Sequence, residues 1–304
     1  MIMDRRSFLN IHNSSSDEAW AMFCTRLRRF AHGTWETLPD SDDGFPQARL
    51  QLQREHEFEH ARALAEEYDI ALVLDGTMRL GRLTGRPGLW VKHSQKLSEV
   101  DYFSEEACLA QAGTLVSTLA QQGYEQFRGV PPLLTLAQWF ADPQYHDVRP
   151  GLSFLSGVER IQVLFANGET AVVGGFGVDD TTPLNVPILH KAIPQLFELL
   201  QNNTVQEALN SESWLHAYRL EALHKKLVEP NIARVFQGHR GSLVWVQSLV
   251  IRKIPKVERL LLNPEQWRES YGKGACGGEV DNEIKSLFDP AGLYPYLDEL
   301  FKPF

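Results

Sequence analysis

The spacing of apolar residues changes period several times along this chain. Near the start, Trp20, Phe23, Leu27 and Phe30 recur at helical intervals behind "SSSDEAW", whose Ser and Asp oxygens can cap a helix and whose acidic residues suit its first turn. This predicts a helix within residues 14–31, and "TLPDSDDGFP" then reads as a polar linker rich in turn formers. From Phe45 the period alternates between two and 3.6. "ARLQLQ" alternates as a strand, "EFEHARALAEEY" has helical spacing, and "DIALVLDG" reads as a buried strand running into Gly76, expected at the centre of its sheet. "LWVKHS" and "ACLAQAG" read as short strands, and "TLVSTLAQQG" as a helix with a glycine stop. The β-branched run around "IQVLFANGETAVV" predicts a hairpin turning at Asn167-Gly168. "ILHKAIPQLFELLQ" and "SWLHAYRLEALHKKL" both show i, i+3, i+4 apolar spacing and predict helices, and "SLVWVQSLVIRKI" returns to strand. In "NEIKSLFDPAGLYP", Ile284, Leu287 and Phe288 form one helical stripe that Pro290 and Gly292 end.

At 304 residues, with 43% hydrophobic and 23% charged residues, the chain falls in the soluble globular class and can bury a sizeable core. Its net charge of -9 argues against a nucleic-acid binder, which needs a basic surface. Cys24, Cys108 and Cys276 stand far apart and form no CxxC pair, so no zinc or disulfide framework is indicated. Arg5, Arg6, Phe8 and Leu9 match a twin-arginine export pattern, but the polar "IHNSSSDEAW" follows in place of an apolar run. The expectation is a cytoplasmic protein without a transmembrane segment.

Two stretches could carry chemistry. "HEFEH" fits the zinc-protease pattern HExxH, with His56 and His60 one helical turn apart and Glu57 or Glu59 as general base. On the helical wheel both histidines point away from the apolar side formed by Phe58, Ala61, Ala65 and Tyr68, and the glutamates around them mark a solvated face. No metal is expected there. "LDGTMRLGRLTGRPG" follows the strand "IALVL", and such a loop can offer backbone N–H groups to a phosphate, with Arg79, Arg82 and Arg86 adding positive charge, but with no GxGxxG or GxxxxGKS pattern its spacing alone reads as an ordinary turn with surface arginines. Trp90, Trp139 and Trp245 read as core or rim aromatics, His239-Arg240 as an exposed surface turn, and Cys276 as a flexible site without a nearby base.

In order, these pieces resemble FAD-binding proteins of the vanillyl-alcohol-oxidase and para-cresol-methylhydroxylase (PCMH) type. Within that group they look most like the FAD-linked subunits of glycolate oxidases and of D-lactate or D-2-hydroxyacid dehydrogenases. The matching segments are "ALVLDGTMRLG", "AQAGTLVSTLAQQG", "GVPPLLTLAQWFAD", "RPGLSFLSGVERIQVLFANGETAVVGG", "VFQGHRGSLVWVQSLVIRKIP" and "EIKSLFDPAGLYP". The resemblance implies an α+β fold of two α/β subdomains over residues 45–304, with a helical insertion at about 183–230 and a closing segment at 264–304. Residues 1–44 would form a helical extension and linker. It implies FAD as cofactor, with the pyrophosphate against Asp75, Gly76, Thr77, Met78, Arg79 and Leu80. Pro132, Thr135 and Leu136 would approach from a second loop, and Gly151 and Val158 from the other subdomain.

The departures bear on function. Thr77, Met78 and Arg79 follow Gly76 where the family has further glycines, and Ala137 and Gln138 stand where it has a Gly-Gly pair. Little chain separates Pro255 from the closing helix, leaving almost no room for the family's substrate-covering cap and its catalytic residues. Three readings follow. The first is an FAD-dependent oxidoreductase, or its FAD-binding subunit, acting on a small 2-hydroxy acid with a second oxidoreductase subunit supplying missing parts. The second is a non-catalytic relative that has lost FAD and serves as an interaction module. The third, remote, is a zinc hydrolase built on HEFEH.

Overall fold

The computed structural model describes residues 17–301 except 79, 81, 84, 176–183, 185, 215 and 255–277. A first helix, α1 (residues 17–27), buries Phe23 and Leu27. Strand β1 (Thr34–Leu38) then pairs antiparallel with β2 (Gln47–Leu52), so the segment expected as a separate extension supplies an edge of the first sheet. After α2 (Glu55–Tyr68) come β3 (Ala71–Leu74) and β4 (Gly88–His93), both parallel to the strands beside them, in the order β1-β2-β4-β3.

β3 is therefore an edge strand, not the expected central one. It reads as a buried strand because the closing segment covers its free side: the Leu72 N–H donates to the Leu293 carbonyl at 2.9 Å. Continuous apolar character marks burial on both faces, and it does not distinguish a middle strand from a covered edge.

The second sheet is antiparallel throughout. Its strands are β5 (Val100–Asp101), β6 (Ala107–Gln111), β7 (Val158–Phe165), β8 (Thr170–Val173) and β9 (Val244–Arg252), ordered β5-β6-β9-β7-β8. The expected hairpin is present, with Ile161 opposite Val173 and Gly168 at φ +88°, a left-handed conformation glycine adopts without strain. Short helices α3 (Val116–Gln121) and α4 (Leu136–Ala141) connect β6 to β7. One contiguous cluster of buried apolar side chains runs through both sheets, from Leu50, Leu72 and Leu89 in the first to Val163, Leu249 and Ile251 in the second.

The insertion is only partly helical. α5 (Pro187–Leu199) buries Ile188, Leu189, Ala192, Ile193 and Leu196, and α6 (Asn203–Leu209) begins where Asn202 Oδ1 accepts from the Thr204 N–H. "SWLHAYRLEALHKKL" does not form the expected helix. Among its described residues only Leu220–Leu223 make a helical turn, of the tighter 3-10 kind. Its spacing of Trp214, Ala217, Tyr218 and Leu220 imitates a helical stripe, but its own side chains and a tertiary partner hold the segment open. Trp214 Nε1 donates to the Tyr218 carbonyl at 2.8 Å, and Arg219 Nε donates to Glu221 at 2.7 Å in a buried ion pair. Asp281 accepts the Ala217 N–H through both carboxylate oxygens at 3.1 Å. A four-residue turn of helix, α7 (Ile232–Val235), leads into β9.

The chain closes with α8 (Glu279–Phe288) and α9 (Leu297–Phe301). Asp289 ends α8, and its buried carboxylate accepts the Leu293 and Tyr294 N–H groups at 2.8 Å each and pairs with Lys285. Lys285 Nζ also donates to the Ser242 carbonyl at 2.7 Å. The Phe-Asp-Pro ending is thus a staple joining the C-terminal turn to the start of β9 and the edge of β3.

Candidate functional site

The residues expected to hold a cofactor fall in three places. At the end of β3, Asp75 donates its N–H to the Val91 carbonyl at 2.9 Å, and Thr77 donates to the Leu74 carbonyl through its N–H at 3.2 Å and its hydroxyl at 2.6 Å. Gly76 takes φ +91° and is exposed on its outer side. The Asp75 carboxylate pairs with Arg49 Nε at 3.1 Å. Met78 is half-buried against the core, Leu80 is exposed, and Arg79 lies outside the described residues.

The second place is the start of α4. Thr135 is its N-cap, and every backbone N–H of that first turn has an internal acceptor. Thr135 donates to Gln138 Oε1 at 3.1 Å, Leu136 to the Thr114 carbonyl at 2.8 Å, Ala137 to the Ala112 carbonyl at 2.9 Å, and Gln138 to Thr135 Oγ1 at 3.3 Å. The Gln138 side chain then reaches across and donates from Nε2 to the Asp75 carbonyl at 2.9 Å. A Cβ placed on Gly76 would lie 2.7 Å from that same Nε2. Gln138 therefore fills the space where the two loops approach. Pro132 stands exposed on the loop before Thr135.

Gly151 and Val158 belong to a third set of contacts. Gly151 is buried under Leu227, whose Cβ lies 3.0 Å from the direction a Gly151 side chain would take, and its N–H points to Glu221 at 3.4 Å. Val158 opens β7, and its carbonyl accepts from Arg234 Nε at 3.0 Å.

The junction between the sheets is close-packed. The Trp245 ring lies between Phe58, at 3.9 Å and 12° between planes, and His93, at 4.3 Å and 14°. This stack ties α2, β4 and β9 together. Gly241, at φ +77°, presses against β3, with Leu74 Cβ 2.9 Å from the direction its own side chain would take and Thr77 Oγ1 at 3.6 Å. Between Phe58, Leu72, Leu74, Gly241, Trp245 and Tyr294 about 0 Å³ is open to a water-sized molecule. Pockets that take a drug-sized ligand run to about 300–1,000 Å³. Among the described residues, then, the head of α4 and the space between the sheets do not fit the expected dinucleotide. The amides at the head of α4 are spent, Gln138 stands in the gap, and the inter-sheet space is filled by rings.

His239 corrects another expectation. It is 2% exposed, not on a surface turn, because residues 238–241 fold onto α4: the Gly238 N–H donates to the Phe140 carbonyl and that of Arg240 to the Ala141 carbonyl. Burial, aided by the Lys285 charge, pulls its imidazole down to about 3, and burial does the same to His93. Both rings are held neutral.

In HEFEH, His56 and His60 are exposed, their ring centroids 6.1 Å apart. Among the described residues no group of three or more His, Cys, Asp or Glu is placed to hold a metal. Glu57 departs from the expected solvated face. It is fully buried and accepts the N–H groups of His32 at 2.8 Å, Gln53 at 2.7 Å and Arg54 at 3.3 Å. The signal for this was its place as third residue of the helix, where a glutamate can bond back to N–H groups at the helix start. Cys276 lies outside the described residues.

Sequence reading did not single out Gln138 as the residue that closes the site, although its place in a family Gly-Gly position was the available sign. No helix among the described residues is long and apolar enough to cross a membrane.

No protein-family model matches the sequence, and no curated protein matches it. Solved structures similar to it include an alkyldihydroxyacetonephosphate synthase, at 13% identity and a TM-score of 0.39, covering 70% of this chain and 33% of that one. Another is wild-type BBE-like 1 of Physcomitrella patens, at 13% identity and a TM-score of 0.42, covering 76% of this chain and 44% of that one. The chain spans a third to less than half of the length of these structures. Its own class is α+β, a small mostly parallel sheet and a five-stranded antiparallel sheet around one core.

Proposed function

We propose that this chain is a non-catalytic relative of PCMH-type flavoproteins, one that keeps their two-sheet scaffold and serves as an interaction module. The observation that carries this reading is the Gln138 bridge to Asp75. A dianionic pyrophosphate needs several free N–H donors in a concave arc. Here the four amides at the head of α4 already have acceptors, and the Gln138 amide group occupies the approach to Gly76. The Phe58–Trp245–His93 stack supports the same reading, since it fills the space between the sheets. In such a protein the family's activity on a 2-hydroxy acid and its flavin chemistry are lost together.

The alternative, an FAD-linked oxidoreductase or its FAD-binding subunit, rests on the order of the sequence motifs. Titration with FAD, followed by flavin fluorescence quenching and by absorbance after desalting, separates the two. We expect a colourless protein that retains no flavin. A yellow preparation holding about one FAD per chain would return the oxidoreductase reading to first place.

A further inference from the structure

The outer face of the five-stranded sheet carries a feature the folding of the chain does not use. A groove opens where the N-terminal end of α2 meets this sheet, lined by Glu55, Glu59, Glu99, Asp101, Gln247 and Leu109, with Gln111, Gln162, Thr170 and Ser248 alongside. Four of its walls are carboxylates, and Glu59, Glu99 and Asp101 are exposed. Its floor has acceptors in excess. Gln247 is 6% exposed and its Oε1 has no donor, and neither oxygen of Glu55 has one either. Burial pushes the Glu55 carboxyl up to about 7, opposed by the Trp245 indole N–H, which favours the charged form without reaching hydrogen-bond geometry. Buried acceptors ordinarily find donors, so three without one at the base of one groove mark a place for an N–H-rich group. Beside the acids the sheet shows apolar side chains to solvent, Leu109 at 41% exposure on β6 and Val172 at 43% on β8.

We infer that this acidic groove and its apolar margin dock a basic segment of a partner polypeptide, an arginine or lysine side chain entering between Glu55, Glu59 and Gln247 while neighbouring aliphatic residues cover Leu109. The inference rests on reading the chain as an interaction module. A guanidinium presents five donors and no acceptor, which complements a floor of unmatched oxygens flanked by carboxylates. A polypeptide suits the site better than a small cation because the apolar strip lies beside the charge, and a small cation has nothing to place on it.

The test uses the full chain and a fluorescein-labelled peptide of alternating arginine and valine, followed by fluorescence anisotropy at low salt. We expect saturable binding that E59Q/E99Q weakens about tenfold, the combined worth of two partly exposed charge pairs. E279Q/E283Q removes the same charge from exposed sites on α8 and should leave affinity within about twofold, because screening limits the reach of distant charges. L109S should also weaken binding. The proposal is overturned if wild type does not bind, if both double variants weaken binding equally, or if L109S has no effect and spermine competes as well as the unlabelled peptide. An FAD titration on the same preparation keeps the two ideas apart. Flavin uptake would sink the non-catalytic reading, while loss of peptide binding without flavin uptake would sink the groove alone.

Discussion

Gln138 donates from its side-chain Nε2 to the backbone carbonyl of Asp75 at 2.9 Å, and through Oε1 it accepts the N–H of Thr135. One side chain thus caps α4 and locks the turn after β3. This arrangement makes Gly76 sensitive in two ways, since it holds φ +91° and has Gln138 Nε2 2.7 Å from where a Cβ would stand. Gly76→Ala is expected to destabilise the fold by about 1–3 kcal/mol, the range for a non-glycine residue held in a sparsely populated conformation. Gln138→Ala in the same chain should recover part of that loss, because it removes the clash and leaves the backbone strain. Urea unfolding of both single variants and the double variant measures the coupling. Strict additivity would mean that the two residues do not touch in solution.

Lys285 and Asp289 form a buried ion pair one helical turn apart, their side chains 6% and 0% exposed. Burial pulls the Lys285 ammonium down, and the Asp289 carboxylate opposes that shift. Lys285→Met should cost about 3–5 kcal/mol, because it leaves a buried carboxylate without its charge partner. The same substitution removes the tie to the Ser242 carbonyl. Hydrogen exchange should therefore speed up at Leu72, whose N–H is held by the closing segment. Loss of global stability with no change at Leu72 would separate the ion pair from the cover over β3.

His93 and His239 are both held neutral with pKa values pulled down to about 3 by burial. Their unfolded values lie near 6.5, so the linkage has one sign. Above about pH 6.5 neither group affects stability. As pH falls from there toward 3 the unfolded state takes up protons that the native state refuses, and stability is lost at up to about 1.4 kcal/mol per pH unit for each histidine. His93→Gln should flatten this acid limb and lower stability at neutral pH by disturbing the stack on Trp245. A midpoint against denaturant that declines equally in both proteins from pH 6.5 to 4.5 would assign the acid sensitivity elsewhere.

Within HEFEH the glutamate, not the histidines, carries the weight. Glu57→Ala would strand the N–H groups of His32, Gln53 and Arg54 and is expected to cost about 2–4 kcal/mol, somewhat beyond a single hydrogen bond to a charged group. His56→Ala and His60→Ala should each fall within about 0.5 kcal/mol of wild type, as exposed substitutions do. Zinc measured at about one per chain and abolished by His60→Ala would reverse this assignment.

Local pattern alone settled much of this protein. The β-branched run and Asn167-Gly168 suffice for the β7–β8 hairpin, because the turn type and the alternating faces are both written within a dozen residues. The glycine after "TLAQQ" and the Phe-Asp-Pro ending likewise mark where helices stop, since φ +85° at Gly123 and a missing proline N–H are properties of single residues. Side-chain reach across long sequence distances was decided elsewhere. "SWLHAYRLEALHKKL" has helical spacing, yet Asp281 holds the backbone of Ala217 across 64 residues and keeps the segment open. β3 reads as central until Leu293 is seen to cover its edge. Glu57 and His239 read as exposed until His32 and α4 close over them. Whether the turn at the head of α4 still has donors to offer depends on where each backbone N–H goes. Composition and spacing do not carry that information. In this chain Gln138, Thr114 and Ala112 take them.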